Sequence, residues 1–268
     1  MKILRYCSIL LLLAVLLPGS AEGIGWKKPF NKVKISDLAP KDHSGDAKNS
    51  IVNVCVYVFE LDRDQYPSVL AGLGEANDLS VKYEDSGSFF GNGLVSGGGD
   101  RDTWRKFAQI LTDAQARMIK RVNLYMNQNI DNDVAIIDME EPGNVCYRSG
   151  KDTSAEIGFP AGTVWLRINA KSLIGLKQIC GLDITPIYKA RMISDKNRKE
   201  QESFGWEFIF GSTAINVPVW PGQFVCIAPN TANFPLEGLP ITGKMMFCSD
   251  KPKPVIRFCL IACSLIND

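Results

Sequence analysis

Histidine is nearly absent from this chain: of its 268 residues only His43 is a histidine. A serine or cysteine nucleophile normally needs a neighbouring base, and that base is most often histidine. The cysteines also lack any C-x-x-C spacing, so a Cys/His zinc site lacks its usual ligand pattern. We therefore predict no metal site, no cofactor and no catalysis by a histidine-activated nucleophile.

An excess of one charge is missing as well. Lysine and arginine number 30, aspartate and glutamate number 29, and the formal net charge is +1. Proteins that bind nucleic acid or an anionic membrane usually carry a basic excess, so we predict no nucleic-acid partner. Apolar residues make up 46% and charged residues 22%, a balance that is ordinary for a globular protein with a buried core.

The apolar run at the N-terminus, residues 9–17, is too short to span a bilayer comfortably. It follows Lys2 and Arg5 and precedes the small residues Gly19, Ser20 and Ala21. This order predicts a signal peptide over residues 1–21, with an uncleaved anchor or a buried helix as the alternatives. We expect an exported protein of the cell envelope, in the periplasm or outer membrane, or an extracellular one. Contact between its strands and lipid is left open.

Residues 22–50 are polar and form a predicted N-terminal arm. Four lysines cluster there: Lys27, Lys28, Lys32 and Lys34. The cluster is typical of a solvated tail, and the alternative is an electrostatic contact with an anionic surface.

Eight cysteines are present, and removal of Cys7 with the signal peptide leaves seven. In an oxidising compartment some of them can pair, with at least one left over. Alternatively, they are small buried apolar residues. Cys259 and Cys263 stand four apart in a predicted strand, so we expect them on one face and not bonded to each other.

Residues 85–102 are rich in glycine, but they do not fit a phosphate-binding loop. Such a loop needs a lysine and a serine or threonine after its last glycine, whereas Gly99 is followed by Asp100, Arg101 and Asp102. The segment predicts a flexible loop or a strand–turn–strand unit.

One main amphipathic helix is predicted at about residues 103–122, with Asp102 or Thr103 as its N-cap. Its apolar stripe comprises Trp104, Phe107, Leu111, Ala114, Met118 and Val122. The opposite face is basic, with Arg105, Lys106, Arg117, Lys120 and Arg121. That face predicts either a solvated surface or a contact with a partner or lipid headgroups. Residues 122–126 also alternate, so the last turns are open to a strand as well.

Alternating, β-branched segments predict strands at residues 51–61, 134–137, 163–169, 181–188, 204–210 and 258–266. Residues 216–227 also predict strand, interrupted by a turn at Trp220, Pro221 and Gly222. Residues 51–61 are apolar on both faces, which indicates a central or membrane-adjacent strand. Pro186 predicts a strand edge or end. Together these segments predict an α+β fold, predominantly antiparallel β, in one domain over residues 51–268.

Asp138 and Glu140 follow a predicted strand, and paired carboxylates can serve as general acid and base. A polar strand end beside Pro142 and Gly143 gives the same pattern. These two carboxylates are the candidates if the chain is a hydrolase.

Three ordered segments near the C-terminus resemble the secretin homology domain, the outer-membrane ring of type II secretion and type IV pilus systems. Gly222, Gln223, Val225 and Ile227 match its D-G-Q-T-V-V-I-G segment; Leu239, Pro240, Gly243 and Phe247 match its I-P-V-L-G-x-L-F corner; and Leu265 and Ile266 end its closing strand. The resemblance implies a secretin-like β domain over residues 51–268, in which these residues are structural. It also implies a homo-oligomer with secretion or pilus components as partners.

The chain departs from that pattern at several positions. Pro221 replaces the aspartate, Ala228 and Pro229 replace a glycine pair, and Cys263 replaces a proline. We expect none of the periplasmic ring domains that dock a secretin on its inner-membrane partners.

Three functions remain as hypotheses. The first is a non-enzymatic, exported envelope protein with a secretin-like domain, which acts as a ring or assembly component. The second is a soluble periplasmic or extracellular binding or adaptor module, with the glycine-rich segment and the basic helix face as its contact surface. The third is an exported hydrolase that uses Asp138 and Glu140.

Overall fold

The computed structural model describes residues 34–38, 51–127, 130–150, 153–172, 179–191, 204–234, 238–250 and 252–267. The predicted signal peptide and most of the predicted arm lie outside the described residues, and both stay predictions. Within the arm, Ile35–Leu38 forms a single 3-10 turn, which buries Leu38. Within the described residues, no helix is long and apolar enough to cross a membrane.

Most of the described chain is β-strand. The strands are β1 (Ile51–Asp62), β2 (Lys82–Tyr83), β3 (Leu94–Gly99), β4 (Arg117–Asn127), β5 (Asn132–Met139), β6 (Gly143–Arg148), β7 (Ser154–Phe159), β8 (Gly162–Ser172), β9 (Cys180–Arg191), β10 (Phe204–Ile209), β11 (Ile215–Val219), β12 (Phe224–Pro229), β13 (Cys248–Ser249) and β14 (Val255–Asn267). The helices are α1 (Tyr66–Glu75), α2 (Ser86–Gly91), α3 (Arg101–Asp113) and α4 (Thr242–Phe247).

The strands form two large sheets and one hairpin. The inner sheet has the order β3-β12-β14-β1-β4, with β13 beside β14. The outer sheet has the order β2-β11-β9-β8-β5, with β10 beside β9, and β6 pairs with β7. All the named strand pairings are antiparallel. The predicted class, an α+β fold that is predominantly antiparallel β, is confirmed, but the described part of the chain has a few short helices and not one main helix.

The inner sheet is the middle of three layers. One face of β1 packs against the outer sheet through Val52, Val54, Val56 and Val58. Its other face packs against α1 and α3 through Cys55, Tyr57, Phe59 and Leu61. The two apolar faces of β1 therefore reflect a central strand, and this chain itself covers both of them.

The predicted helix at residues 103–122 is wrong in its second half, because α3 ends at Asp113 and residues 117–127 form β4. Ala116 N–H donates to the Leu111 carbonyl at 2.9 Å, and Gln115 adopts a positive φ of 55°, which together close the helix. The N-cap is Asp100, whose side chain accepts from the backbone of Asp102 and Thr103. The downstream residues pair with the edge of β1 instead.

The glycine-rich segment forms α2 and β3 and is not the loop or strand–turn–strand unit that we predicted. Its glycines permit close packing. A Cβ on Gly97 would lie 2.6 Å from the Leu73 carbonyl oxygen and 2.7 Å from that of Ala76, at the end of α1. A Cβ on Gly98 would collide with the Phe224 carbonyl of β12. The glycines therefore bring α1 and β12 against β3.

Pro186 lies inside β9, a central strand, so the edge prediction is wrong. On one side β9 pairs with β8. On the other side it pairs with β11 through residues 180–184 and with β10 through residues 187–191. Pro186 stands in the gap between these two partners, where a missing N–H breaks no ladder bond. Its carbonyl accepts from Phe210 N–H at 3.0 Å.

The seven cysteines in the described part of the chain are buried or half-buried thiols, and no disulfide joins them there. Cys259 and Cys263 both belong to the core between the two sheets and are not bonded to each other, so the prediction that they share one face is confirmed. Burial raises the pKa of the Cys180 thiol to about 11 and that of Cys248 to about 12. These two side chains are therefore neutral thiols at physiological pH.

Candidate functional site

The motif residues at the start of β12 build a tight turn. Gly222 has a φ of 93°, which favours glycine, and Pro221 precedes it. Gln223 N–H donates to the Trp220 carbonyl at 3.1 Å, and the Gln223 side-chain oxygen accepts from Trp220 N–H at 3.0 Å. Gly222 N–H donates to the Cys263 carbonyl at 2.9 Å and so fastens the turn to β14.

The other motif residues lie in the core or at one corner. Val225 and Ile227 are buried between the sheets, and Phe247 is buried at the end of α4. Leu265 and Ile266 lie in β14, opposite Asn53 and Val52 of β1.

The corner that contains Leu239, Pro240 and Gly243 packs on the rest of the fold. The Pro240 carbonyl accepts from Cys146 N–H at 2.9 Å. A Cβ on Gly243 would collide with the Gly93 carbonyl, so glycine allows α4 to approach that turn. Leu239 is 36% exposed.

A cavity of about 400 Å³, here called the end cavity, opens beside this corner. It lies where β5 ends and β6 begins, facing α4 and β13. Its polar lining comprises Asp138, Asn144, Lys244, Ser249 and Asp250. Its apolar lining includes Ile137, Met139, Val145, Leu239 and Met245.

Three residues that the sequence singled out meet at the end cavity: Asp138, Leu239 and Pro240. Glu140 follows the end of β5, is exposed and does not line the cavity. The hydrolase hypothesis requires Asp138 and Glu140 at one site, and the structure does not bring them to this cavity together.

Both acidic groups of the end cavity have partners. The Asp138 carboxylate accepts from the Thr163 hydroxyl at 2.7 Å. Lys120 donates to the Ala135 carbonyl at 2.8 Å; burial lowers its pKa, and the Asp138 charge opposes that shift. Asp250 forms an ion pair with Arg63.

Lys244 is the cavity's cation. It is half-buried on α4, among the buried residues Gly243 and Met245. Within the described ranges, no salt bridge involves Lys244. Among the residues that the structure describes, no carboxylate is therefore bound to the positive charge that Lys244 brings to the end cavity.

A fully bonded asparagine supports the cavity walls. Asn92 is buried, and its amide donates to the carbonyls of Ser88 and Arg148, both at 2.8 Å. Its side-chain oxygen accepts from Arg148 N–H and from the Thr242 hydroxyl, both at 2.9 Å. Because these bonds tie α2, β6 and α4 together, the corner between β6 and α4 is preformed.

The five basic residues do not share a helix face, so the contact surface of the adaptor hypothesis is wrong. Arg105 and Lys106 lie on α3, whereas Arg117, Lys120 and Arg121 lie on β4. Arg117 forms an ion pair with Glu60 at 2.7 Å. The glycine-rich segment, the other half of that surface, packs against α1 and β12.

The sequence reasoning missed Lys244, Met245, Asn144 and Asp250. Lys244 stands between two matched motif positions, Gly243 and Phe247, but its residue type is not part of the motif. The local sequence carries no signal that places it in the same cavity as Asp138, because α4 and β5 are more than 100 residues apart.

Comparisons with known proteins gave similarity to solved structures alone. No protein-family model matches the chain, and no curated protein matches it. Among solved structures, it is similar to the β-barrel of the InvG secretin domain from the Salmonella SPI-1 injectisome, with a TM-score of 0.22 and 7% identity. The match covers 83% of this chain and 64% of that chain. It concerns the family that the motifs resemble, but at this TM-score it supports no argument about function.

Proposed function

We propose that this chain is a non-enzymatic binding module, exported to the cell envelope or beyond, that takes a small ligand in the end cavity. The observation that carries the proposal is the cavity itself, which combines apolar wall residues with Lys244, a cation that forms no salt bridge within the described ranges. Its volume of about 400 Å³ falls in the range of small-molecule sites.

The construction of the site also supports binding. Small-molecule sites are usually largely preformed, and they combine apolar wall residues with a few polar groups that orient the ligand. Here Val145 and Met245 are buried wall residues, and the Asn92 hydrogen bonds fix β6 against α4. A ligand therefore meets walls that need little reorganisation, which lowers the cost of binding.

A residue-resolved NMR screen of small organic acids, amines and neutral amphiphiles tests the proposal. We expect at least one class to shift the amide signals of Met139, Asn144 and Lys244, and to leave those of β10 on the outer sheet unchanged. Shifts that map elsewhere, or no shifts from any class, would contradict the proposal.

A secretin-like assembly component is the second candidate, and the order of the three motifs supports it. Its physical argument was that strands with two apolar faces need neighbouring subunits or lipid. In this fold the two faces of β1 are covered by the outer sheet and by α1 and α3. A ring would therefore form through the outer surfaces of the sandwich.

Native mass in soluble and detergent-extracted fractions separates the two candidates. The assembly candidate predicts a large homo-oligomer in the detergent fraction, together with secretion or pilus components. A monomer in both fractions would contradict the assembly candidate and would agree with the binding module.

A further inference from the structure

We infer that the ligand of the end cavity is a small carboxylate with an apolar body. The inference rests on the proposed function and adds the chemical class of the ligand. Its starting point is the charge balance of the cavity, in which Lys244 differs from the two acidic residues.

The acidic residues are already compensated. Asp250 has Arg63 as its ion-pair partner. Asp138 accepts a hydrogen bond from Thr163, and its charge acts to raise the pKa of the nearby Lys120. A cationic ligand would have to compete with these partners, whereas an anionic ligand would not.

Lys244 lacks such compensation among the residues that the structure describes. Lys244 is half-buried as a residue, and a carboxylate that reaches its ammonium would form a charge-assisted hydrogen bond. The competing explanation is that the lysine stem covers apolar surface while its ammonium stays in water. The two explanations differ in whether an anion binds.

The walls near Lys244 select for an apolar body on the ligand. Met139 and Met245 present flexible thioether side chains, and Leu239 adds a branched apolar one. Methionine side chains adapt to ligands of different shape. A carboxylate without an apolar body would leave these walls in water and would lose their contribution to binding.

Calorimetric titration of the purified chain with three probes tests the inference: octanoate, octylammonium and acetate. Octanoate carries both features, octylammonium has the tail with the opposite charge, and acetate has the charge without the tail. We expect octanoate to bind at least about tenfold more tightly than either of the others. NMR amide shifts check that it binds in the end cavity.

Two lysine variants complete the design. Lys244→Gln removes the charge and keeps most of the stem, and we expect it to weaken octanoate binding at least about tenfold. Lys253→Gln is the matched control, because Lys253 pairs with Asp62 at 2.7 Å and does not line the cavity. It should bind octanoate like the natural chain, and Lys244→Arg should keep most of the affinity.

Each outcome decides something. If octylammonium binds in the cavity as tightly as octanoate, or if folded Lys244→Gln keeps full octanoate affinity, the carboxylate inference is overturned and the binding function stands. If none of the probes and none of the screened compounds perturbs the cavity, both fail. The probe comparison on the natural chain does not depend on the folding of any variant.

Discussion

The inner and outer sheets have the same antiparallel construction but meet different surroundings. Both faces of β1 in the inner sheet are buried. In the outer sheet, β8 buries Val164, Leu166 and Ile168, whereas its other face carries Arg167 and Asn169. The difference shows that apolar residues on both faces of a strand indicate a middle layer, and a polar second face indicates an outer one.

The outward face of the outer sheet is organised by ion pairs. Arg167 donates to Asp133 at 2.9 and 3.0 Å and to Glu207 at 2.9 and 2.8 Å. Lys189 donates to Asp133 at 2.6 Å. These bonds connect β5, β8, β9 and β10, so the polar face ties four strands together where the inner sheet uses apolar packing.

The largest difference between the sheets should come from a matched isoleucine pair. Ile261 of β14 is fully buried, whereas Ile209 of β10 is 52% exposed. We expect Ile261→Ala to lower the free energy of unfolding by about 2–5 kcal/mol and Ile209→Ala by less than about 1 kcal/mol. Urea denaturation measures both losses, and equal losses would contradict the difference between the two sheets.

Removal of the central arginine should cost less. Arg167→Met removes the arginine that bonds both Asp133 and Glu207 and leaves them only Lys189, at 2.6 and 3.9 Å. We expect a loss of about 1–2 kcal/mol that shrinks at high salt. Arg105→Met is the control, because its pair with Asp102 is exposed and local. Urea denaturation at low and high salt measures both variants. Equally small losses of unfolding free energy for the two variants would contradict the network.

Acid should weaken the outer sheet through Asp133. Burial raises the pKa of this carboxyl, but hydrogen bonds from Arg167 and Lys189 outweigh burial and leave the pKa below its ordinary value. Stability from this group is therefore present above its unfolded-state pKa of about 3.9 and is lost as the pH falls through the lower folded-state value. Asp133→Asn should flatten the fall in stability below about pH 5 that the natural chain shows, and an unchanged slope would remove Asp133 as its source.

The smallest effect concerns the junction between α3 and β4, where the helical layer meets the inner sheet. Gln115 adopts a left-handed conformation that glycine adopts more easily. We expect Gln115→Gly to raise the free energy of unfolding by about 0.5–1 kcal/mol and so to raise the melting temperature slightly. A lowered melting temperature would show that the Gln115 side chain contributes more than its backbone strain costs.

Much of the sheet could be predicted because β-branched alternation is a local signal. The end of α3 could not, because Met118 and Val122 fit a helical stripe as well as a strand. The open edge of β1, about 60 residues away, decides between the two. The role of the glycine-rich segment was equally non-local, since close approach of α1 and β12 explains it.

The candidate site was only partly visible in the sequence. Asp138 was noticed as a carboxylate at a strand end, and Leu239 and Pro240 as motif residues, but nothing linked them. Lys244 was missed because its significance depends on what it does not pair with, which is a property of the folded chain. The predicted signal peptide and oligomeric state stay predictions.

A titration of cavity-filling variants tests the binding proposal most directly. The nearest neighbour of a Cβ on Gly143, at the cavity rim, is the Met139 Cε atom at 3.9 Å, so the backbone there has room for a Cβ and Gly143→Leu adds bulk at the rim. Gly211→Leu is the control, because a Cβ there meets nothing within 4 Å and lies outside the cavity lining. With the tightest ligand from the NMR screen, we expect at least about a tenfold loss of affinity for Gly143→Leu and none for Gly211→Leu. Unchanged affinity in folded Gly143→Leu would contradict the end cavity as the binding site.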